Sequence, residues 1–414
     1  MAKTRQGRAI DNHVQKRARR RTEQEVCESK KMKRKAHDLP TEIFYDILSR
    51  LPLTFLLGSA KSTCKLWRSI ITDPMFSQLQ MPQALTNPGN LYSSLGDSNL
   101  YFAYKPLGDK IVAMKLPGEL GGNKYKNLVS SGGLMCYHDI EEKSIYICNP
   151  IIGDHVKINS QYFEREGSFG FGYAPLSKKY KYLQVIFEKQ PKPRITVAIL
   201  TLGEESWRVL ADHQNPIINQ FPVYCNGALY WLGPNLFIDE DTEYQVVSFD
   251  VETEKFRRRR ILPKGTSRNF QSCDRHLAVL GETVAFVTAN WQGCFQEIWT
   301  LIDEAEDIWV QPPRISKPGK ACYRFMGLWM NQDLYGMEIA PVVLRNRQTK
   351  RKVDRHKFRK RWLVYNPDNE KHTAIQFPFV TDDPHRVIAH VGSLVSPSKI
   401  VAAAAKQPSF ATSG

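Results

Sequence analysis

From residue 100 onward the chain repeats one phrase: a β-rich run, a turn rich in Asp, Asn, Gly or Pro, and a second β-rich run. LYFAYKPLGDKIVAMKL (100–116) is the first copy. It is followed by IYICNPIIGDHVKI (145–158), VAILTLGEESWRVL (197–210), VVSFDVETEKFRRRRIL (246–262), IWTLIDEAEDIWV (298–310) and WLVYNPDNEKHTAIQF (362–377). The interval of roughly 45 to 60 residues is that of kelch-like propeller blades. A lone hairpin is marginal in water, so such units become stable only by stacking on neighbours. Glycine-anchored apolar runs precede several hairpins: GGLMCY (132–137), NGALYWL (226–232) and QDLYGMEI (332–339). Glycine permits close strand approach, and the aromatic fills the wedge between sheets. The last run, HVGSLVSP (390–397), has no hairpin after it and is expected to pair with the first hairpin, closing a ring. The expected fold of residues 97–400 is therefore a six-bladed β-propeller, with five or seven blades as alternatives. A β-sandwich fits less well, because about 300 residues is long for one.

One segment ahead of the repeats follows a different grammar. In DLPTEIFYDILSRLP (38–52), Ile43, Phe44, Ile47, Leu48 and Leu51 fall at i, i+1, i+4, i+5 and i+8, on one helical face. Thr41 is placed to cap the start, and Pro52 ends the run. A helix of about ten residues is marginal in water and must pack on something. Leu53, Phe55, Leu56 and Leu57 form a second apolar cluster, and Trp67, Ile70, Ile71 and Phe76 a third. Three short helices over 38–80 are at the lower limit for a self-sufficient core. Such a unit exposes apolar surface, and an exposed apolar patch marks a partner site.

The residues Leu39-Pro40, Ile43, Ile47-Leu48, Leu51-Pro52, Leu56-Leu57 and Cys64-Lys-Leu-Trp67-Arg resemble the F-box, in order and nearly in spacing. The interval from Pro52 to Trp67 is one residue longer than the usual pattern, which suggests an extra residue in the second turn. Farther on, GGLMCYHD, IYICNPIIGDHVKI, FGFGYAP, LGEESWRVL, NGALYWL and VVSFDVETEKF together resemble the F-box-associated domain of plant F-box proteins. The fold class this implies is α+β and multidomain, a three-helix F-box followed by an all-β propeller. The resemblance also implies docking on a Skp-type adaptor, linked in turn to a cullin and a RING subunit. The adaptor contacts it implies are Leu39, Pro40, Ile43, Ile47, Leu48, Leu51, Pro52, Leu56, Leu57 and Trp67, with Trp67 the first candidate to face the unit's own core.

The net charge of +16 is concentrated in two segments. Residues 1–37 carry 13 Lys/Arg against 4 Asp/Glu, and residues 345–361 carry 10 against 1, which leaves the remainder slightly acidic. The first segment lacks apolar periodicity and reads as a disordered arm. Its clusters KRARRR (16–21) and KKMKRK (30–35) have the layout of a bipartite nuclear-import signal, and the alternative is a solvated tail. The expected location is the nucleus, with the cytoplasm as a second compartment. The second segment reads as an elongated loop before a strand starting at Trp362. Its Arg345, Arg347, Lys350, Arg351, Lys352, Arg355, Lys357, Arg359, Lys360 and Arg361 are candidate contacts for an acidic target or another polyanion, against the plain alternative of a basic loop with no dedicated ligand. Arg257–Arg260 reads as part solvated strand face and part turn. Residues 81–96 read as a linker and 401–414 as a disordered tail.

No catalytic constellation can be assembled. FGFGY (169–173) lacks the order of a dinucleotide loop and reads as a strand. Cys136 with His138, or Cys273 with His276, could be imagined as nucleophile and base, and on a strand i and i+2 share a face, but eight cysteines and ten histidines make such pairs common by chance. They also lack the partners for a four-ligand zinc site. No cofactor or metal is expected. The cysteines lack a C-x-x-C pair and read as reduced, mostly buried thiols. No apolar run approaches the roughly 20 residues that span a bilayer, and the polar N-terminus lacks a secretory core. The function expected is that of a non-catalytic substrate receptor of an SCF-type ubiquitin ligase, holding an unknown target protein through the propeller. The alternatives are an adaptor-bound scaffold outside ubiquitination and a nucleic-acid-binding propeller, the latter disfavoured because no basic-aromatic groove is visible.

Overall fold

Each hairpin read from the sequence forms the outer pair of strands of an antiparallel sheet, and two inner strands complete it. The structure is a computed structural model describing residues 39–93, 99–104, 112–116, 125–139, 142–160, 167–188, 194–213, 222–234, 244–257, 260–263, 273–290, 295–311, 322–329, 333–341, 344–345, 352–353, 358–366, 371–375, 377–379 and 386–406. It divides into two units, Met1–Leu79 and Gln80–Gly414.

In the larger unit, Leu134–Asp139, Ala228–Pro234 and Asp333–Pro341 are second strands, where the glycine-anchored runs were read. Two-residue turns with positive φ join several of them to their first strands, at Gly132-Gly133 and at Asn226-Gly227. That geometry matches the twist of the flanking strands and favours Gly and Asn. The first strands stand side by side around a ring. Tyr125–Ser131 touches Gly167–Ala174, which touches Ala228–Pro234; that strand and Val223–Cys225 touch Cys273–Leu280. Cys273–Leu280 touches Cys322–Trp329, which touches Arg386–His390, and this last strand returns to Tyr125–Ser131.

The closing strand differs from the expectation. It is Arg386–His390, ending where HVGSLVSP begins, and it pairs with Gly89–Ser93, not directly with the first hairpin. Gly89–Ser93 in turn pairs with Tyr101–Tyr104. Residues 81–96 are thus not a plain linker, since they hold the end of helix Pro74–Thr86 and this strand. The expected six blades are corrected: five sheets have the four strands of a blade, whereas the sheet from Val223 to Ile261 has five strands. A separate two-stranded ribbon, Leu344–Arg345 with Lys352–Val353, adds to them.

The core lies between successive sheets, because strand alternation gives each sheet two buried faces. Leu229 and Trp231 pack with Leu183, Val185 and Ile199 on one side, while Tyr230 and Leu232 pack with Leu277 and Phe286 on the other. Tyr92 and Tyr101 pack with Trp362 and Phe377. FGFGY is a strand, as read, and lies on the inner side of its sheet. A Cβ on Gly170 would meet Leu229 Cδ1 at 2.6 Å, so glycine there lets neighbouring sheets approach.

Arg260 is buried and Arg257 half-buried, and both are ion-paired. Arg260, only 4% exposed, reaches Glu304 at 2.9 Å and Ser248 Oγ at 2.7 Å, and Arg257 binds Asp250 and Glu304 at 2.7 Å. Tyr230 also donates to Glu304. The turn after Phe295–Asp303 is therefore clamped to the neighbouring sheet through charge, and a buried charge needs such pairing.

Beyond the closing strand the chain stays attached. Asn149 Nδ2 donates to the carbonyls of Ser393 (2.9 Å) and Val395 (2.8 Å). Ser396 caps helix Pro397–Ala404 by accepting from Lys399 N, and it donates to Asp154 at 2.5 Å. Ile400 and Val401 pack against the cluster around Phe171 and Tyr182. Residues 401–404, read as tail, are helical.

Candidate functional site

The smaller unit begins with helix Thr41–Ser49. Pro40 holds the cap position without a side-chain bond, so Thr41 is the first helical residue and not its cap. Ile43 N donates to Pro40 O at 3.1 Å. Pro52 then starts a second helical stretch through Leu53–Phe55, a π turn at Leu56–Ala60, and Lys61–Thr63. A π turn absorbs one inserted residue without breaking a helix. This π turn lies within the Pro52-to-Trp67 interval. Cys64, in extended backbone, ends that stretch and caps the next helix, Lys65–Ile71, by accepting from Trp67 N at 3.4 Å. This exposed cysteine is a cap and not a buried thiol. Tyr45 OH donates to Asp73 at 2.5 Å, tying the first helix to the segment after the third, and its ring meets Phe76 edge-on.

These contacts sort the apolar residues into two sets. Leu48 and Leu56 are 0% exposed and form the unit's own core with Leu53, Ile70, Ile71 and Phe76. Leu39, Ile43 and Ile47 are 43, 40 and 46% exposed and recur every fourth residue, forming one outward stripe. Leu51, Pro52, Leu57 and Trp67 are half-buried, and Pro40 is exposed. Trp67 was the residue expected to turn inward, but Leu48 and Leu56 do so completely. Phe55, Met75 and Leu79 are exposed apolar residues outside the sequence-derived set. Covering an exposed isoleucine of this kind is worth about 1 kcal/mol, a fraction of the roughly 1.5–3 kcal/mol for complete burial.

The basic segment is only partly a loop. Its last strand starts at Phe358, four residues before Trp362, so Arg359, Lys360 and Arg361 sit on a strand. It begins there because its partner strand continues to Pro341, pairing Pro341 with Phe358 and Glu338 with Arg361. Arg345 and Lys352 face each other across the two-stranded ribbon. Arg347, Lys350, Arg351, Arg355 and Lys357 lie outside the described residues, as do the basic clusters of the N-terminal arm.

The cysteine–histidine pairs have packing explanations. Burial, with a smaller contribution from nearby Cys148, pushes the Cys136 thiol well up, which keeps it protonated and unreactive. His138 is held neutral by burial, its pKa lowered to about 4, and its Nε2 meets Tyr182 OH at 2.8 Å. His276 Nε2 pairs with the carbonyl of Phe325. Among the described residues no group of three His, Cys, Asp or Glu could hold a metal ion, and no helix is long and apolar enough to cross a membrane.

Comparison with known proteins agrees with this division. A family model described as F-box associated beta propeller domain matches residues 108–396, and one described as F-box-like matches residues 36–78. The F-box protein At5g65850 of Arabidopsis thaliana is 27% identical over 304 residues, covering 70% of this chain and 74% of that protein. The F-box/kelch-repeat protein At3g23880 of the same plant is 24% identical over 241 residues, covering 53% of this chain and 65% of that protein. Both relatives being from a plant, plant origin is implied. The propeller match takes in well over half of the sequence, so the chain belongs to the F-box associated beta propeller domain family, a generally non-catalytic, receptor-type family, and carries an F-box-like segment ahead of the propeller.

Proposed function

We propose that this protein is the substrate-recognition subunit of an SCF-type ubiquitin ligase. The F-box docks on a Skp-type adaptor, through it on a cullin and a RING subunit, while the propeller holds a target protein. The observation that carries this reading is the outward stripe Leu39, Ile43 and Ile47 on a helix whose opposite edge is already buried. An unpartnered apolar stripe on so small a unit is explained by a second protein that covers it. Leu51, Pro52, Leu57 and Trp67, half-buried in this chain, complete the proposed contact, whereas Leu48 and Leu56 support it from beneath. The ring of sheets is a rigid base for variable connections that contact the target. The mechanism is positional, since the receptor raises the target's effective concentration near a conjugating enzyme carried by other subunits. The paired basic clusters of the arm support import into the nucleus, where the complex would act.

The test is co-purification of the full chain with a Skp-type adaptor, alongside a variant carrying Ile43→Asp and Ile47→Asp. Both side chains are exposed, so the variant folds, whereas Leu48→Asp would place a charge in the unit's own core. A carboxylate driven into an apolar interface costs several kcal/mol, and each 1.4 kcal/mol is about tenfold in affinity. The wild type is expected to associate and the variant to fail. Equal association of both removes the stripe from the interface. Adaptor binding without cullin recruitment would favour the scaffold reading.

A further inference from the structure

Three successive junctions on the outer rim of the ring are closed by the chain itself. Between the sheet spanning 125–159 and the one spanning 167–213, helix Pro397–Ala404 lies over the gap. It touches the outer strands Ser144–Asn149 and Asp154–Asn159, and a Cβ on Gly203 of the next sheet would meet Ala404 Cβ at 2.9 Å. Its Ile400 and Val401 join the cluster that holds Val156 and Ile158 of the outer strand and Trp207 across the gap. At the following junction Arg208 reaches Glu254 at 2.7 Å, and at the one after that Arg257 and Arg260 reach Glu304 at 2.7 and 2.9 Å.

The fourth junction, from the sheet spanning 273–310 toward the one spanning 322–374, is different. Ile298 packs with Phe325 and Leu363 of the next sheet, which identifies the face. Thr300 follows on that face and pairs with Val310; Ile308 shares it by alternation, and Ile302 stands in the bulge beside Ile308. Ile302, Ile308 and Val310 are 59, 45 and 42% exposed. The register gives Val310 a counterpart. Counted from the hairpin turn, Thr300 with Val310 is the third pair, as Ile147 with Val156 is in the sheet beneath the C-terminal helix. Val156 is half-buried and Val310 exposed. The cover that nature has placed on the first of these two surfaces is an amphipathic helix.

Two features of the exposed face fit the same kind of occupant. Strand Ile308–Val310 has three residues, a short edge on which to hold an added strand, and its exposed side chains point toward the next sheet and not along that edge. A helix laid over aliphatic side chains needs no backbone pairing. The adjoining turn is acidic. Glu304 and Asp307 are paired with Arg260, whereas Asp303 and exposed Glu306 have no cation beside them among the described residues. Charge complementarity therefore asks for Lys or Arg on the occupant.

We infer that the rim face of Ile302, Ile308 and Val310 docks a short amphipathic helix of a protein partner, aliphatic on one face and basic on the other, in the place that helix Pro397–Ala404 takes three junctions earlier. The inference rests on the receptor reading only in calling that partner the target.

The experiment uses the full chain and a labelled, side-chain-stapled helical peptide of about 14 residues, with Ile, Val and Leu on one face and Lys on the other. A second peptide spreads the same residues around the helix, and a third replaces Lys by Glu. A fourth has central Pro residues that keep it extended. The main variant carries Ile302→Thr, Ile308→Thr and Val310→Thr, which keeps branched side chains suited to a strand. Val310→Thr alone guards against misfolding. The amphipathic Lys peptide is expected to bind wild type at least about tenfold more tightly than the threefold variant, with a smaller loss for Val310→Thr. The Glu peptide is expected to bind more weakly than the Lys peptide, by a margin that shrinks as salt is added. Val209→Thr, at a separate exposed position, and the pair Ile43→Asp and Ile47→Asp on the helical unit are expected to change nothing. Failure of the Lys peptide to bind wild type overturns the proposal, as does equal binding by the threefold variant or of the rearranged peptide. Equal binding of the extended peptide overturns the helical occupant. Dimers of wild type that are lost in the threefold variant overturn it in favour of a second copy of this chain. Loss of peptide binding with Ile43→Asp and Ile47→Asp overturns it in favour of the helical unit. Adaptor co-purification run on the rim variants separates failure of this face from failure of the receptor reading.

Discussion

The helical unit and the propeller use the same apolar side chains to opposite ends. In the propeller the large residues turn inward: Tyr92, Phe102, Phe171, Tyr182, Tyr230, Trp231, Phe249 and Phe286 are fully buried, each held between sheets of its own chain. The exposed exceptions include Leu176 and Val209, from separate turns and outer strands, and Ile302, Ile308 and Val310 on one paired outer edge. Among the described residues of the helical unit only Leu48, Leu56, Ala60 and Phe76 reach complete burial, while Leu39, Ile43 and Ile47 line up on the outside. A ring of sheets that closes on itself buries its large side chains between its own members. Three short helices cannot, and what they leave over is a site. The propeller is thus a finished scaffold and the helical unit a half-interface.

The largest effect that could break this comparison lies inside the propeller. Trp231 fills the space between two sheets and donates Nε1–H to Ser168 Oγ at 3.1 Å. Trp231→Ala is expected to cost about 3–5 kcal/mol, read as a lower melting temperature whether or not adaptor is present. Ile47→Asp should leave that transition in place and remove only adaptor binding. If both substitutions shifted the propeller transition alike, the two regions would not be independent in their cores.

An intermediate effect comes from pH. Burial lowers His138 to about 4 and His390 to about 3, against 6.5 for a free ring. Below pH 6.5 the unfolded chain takes up protons that the folded rings refuse. Their contribution is complete above that pH and falls as the pH drops, by about 1.4 kcal/mol per unit for each ring. His390→Asn should remove about half of the slope between roughly pH 6 and 5, measured by denaturant titration at several pH values. An unchanged slope would mean that His390 is not held neutral in the fold. The smallest effect is at the C-terminal helix. Asp154 accepts from Ser396 Oγ and from the N and Oγ of Ser398. Asp154→Ala should cost about 1 kcal/mol locally, seen as faster amide exchange in Pro397–Ala404 with little change in global melting.

What could be read from the sequence was whatever local chemistry decides. Hairpins such as 145–158 combine period-two alternation with turn residues, and both signals lie within fifteen residues. First strands such as Val223–Cys225 are too short to show a period. The closing geometry depends on Gly89–Ser93 meeting Arg386–His390, a pairing that nothing in either stretch announces. The C-terminal helix was illegible for the same reason, its cap being fixed by Asp154 from 242 residues away. Arg260 looked solvated because Glu304 is 44 residues distant. In the first helix, apolar residues at i, i+1, i+4 and i+5 define a broad stripe. Periodicity does not say which edge of that stripe turns inward, so Leu48 and Ile47, neighbours in sequence, were assigned alike although one is buried and the other exposed.

The most direct measurement is hydrogen exchange of the full chain with and without a Skp-type adaptor. The account predicts that added protection concentrates in residues 39–57, on and beside the helix Thr41–Ser49, with the propeller amides unchanged. Protection that appears instead on the propeller strands, or a stable complex that leaves residues 39–57 exchanging as before, would contradict it.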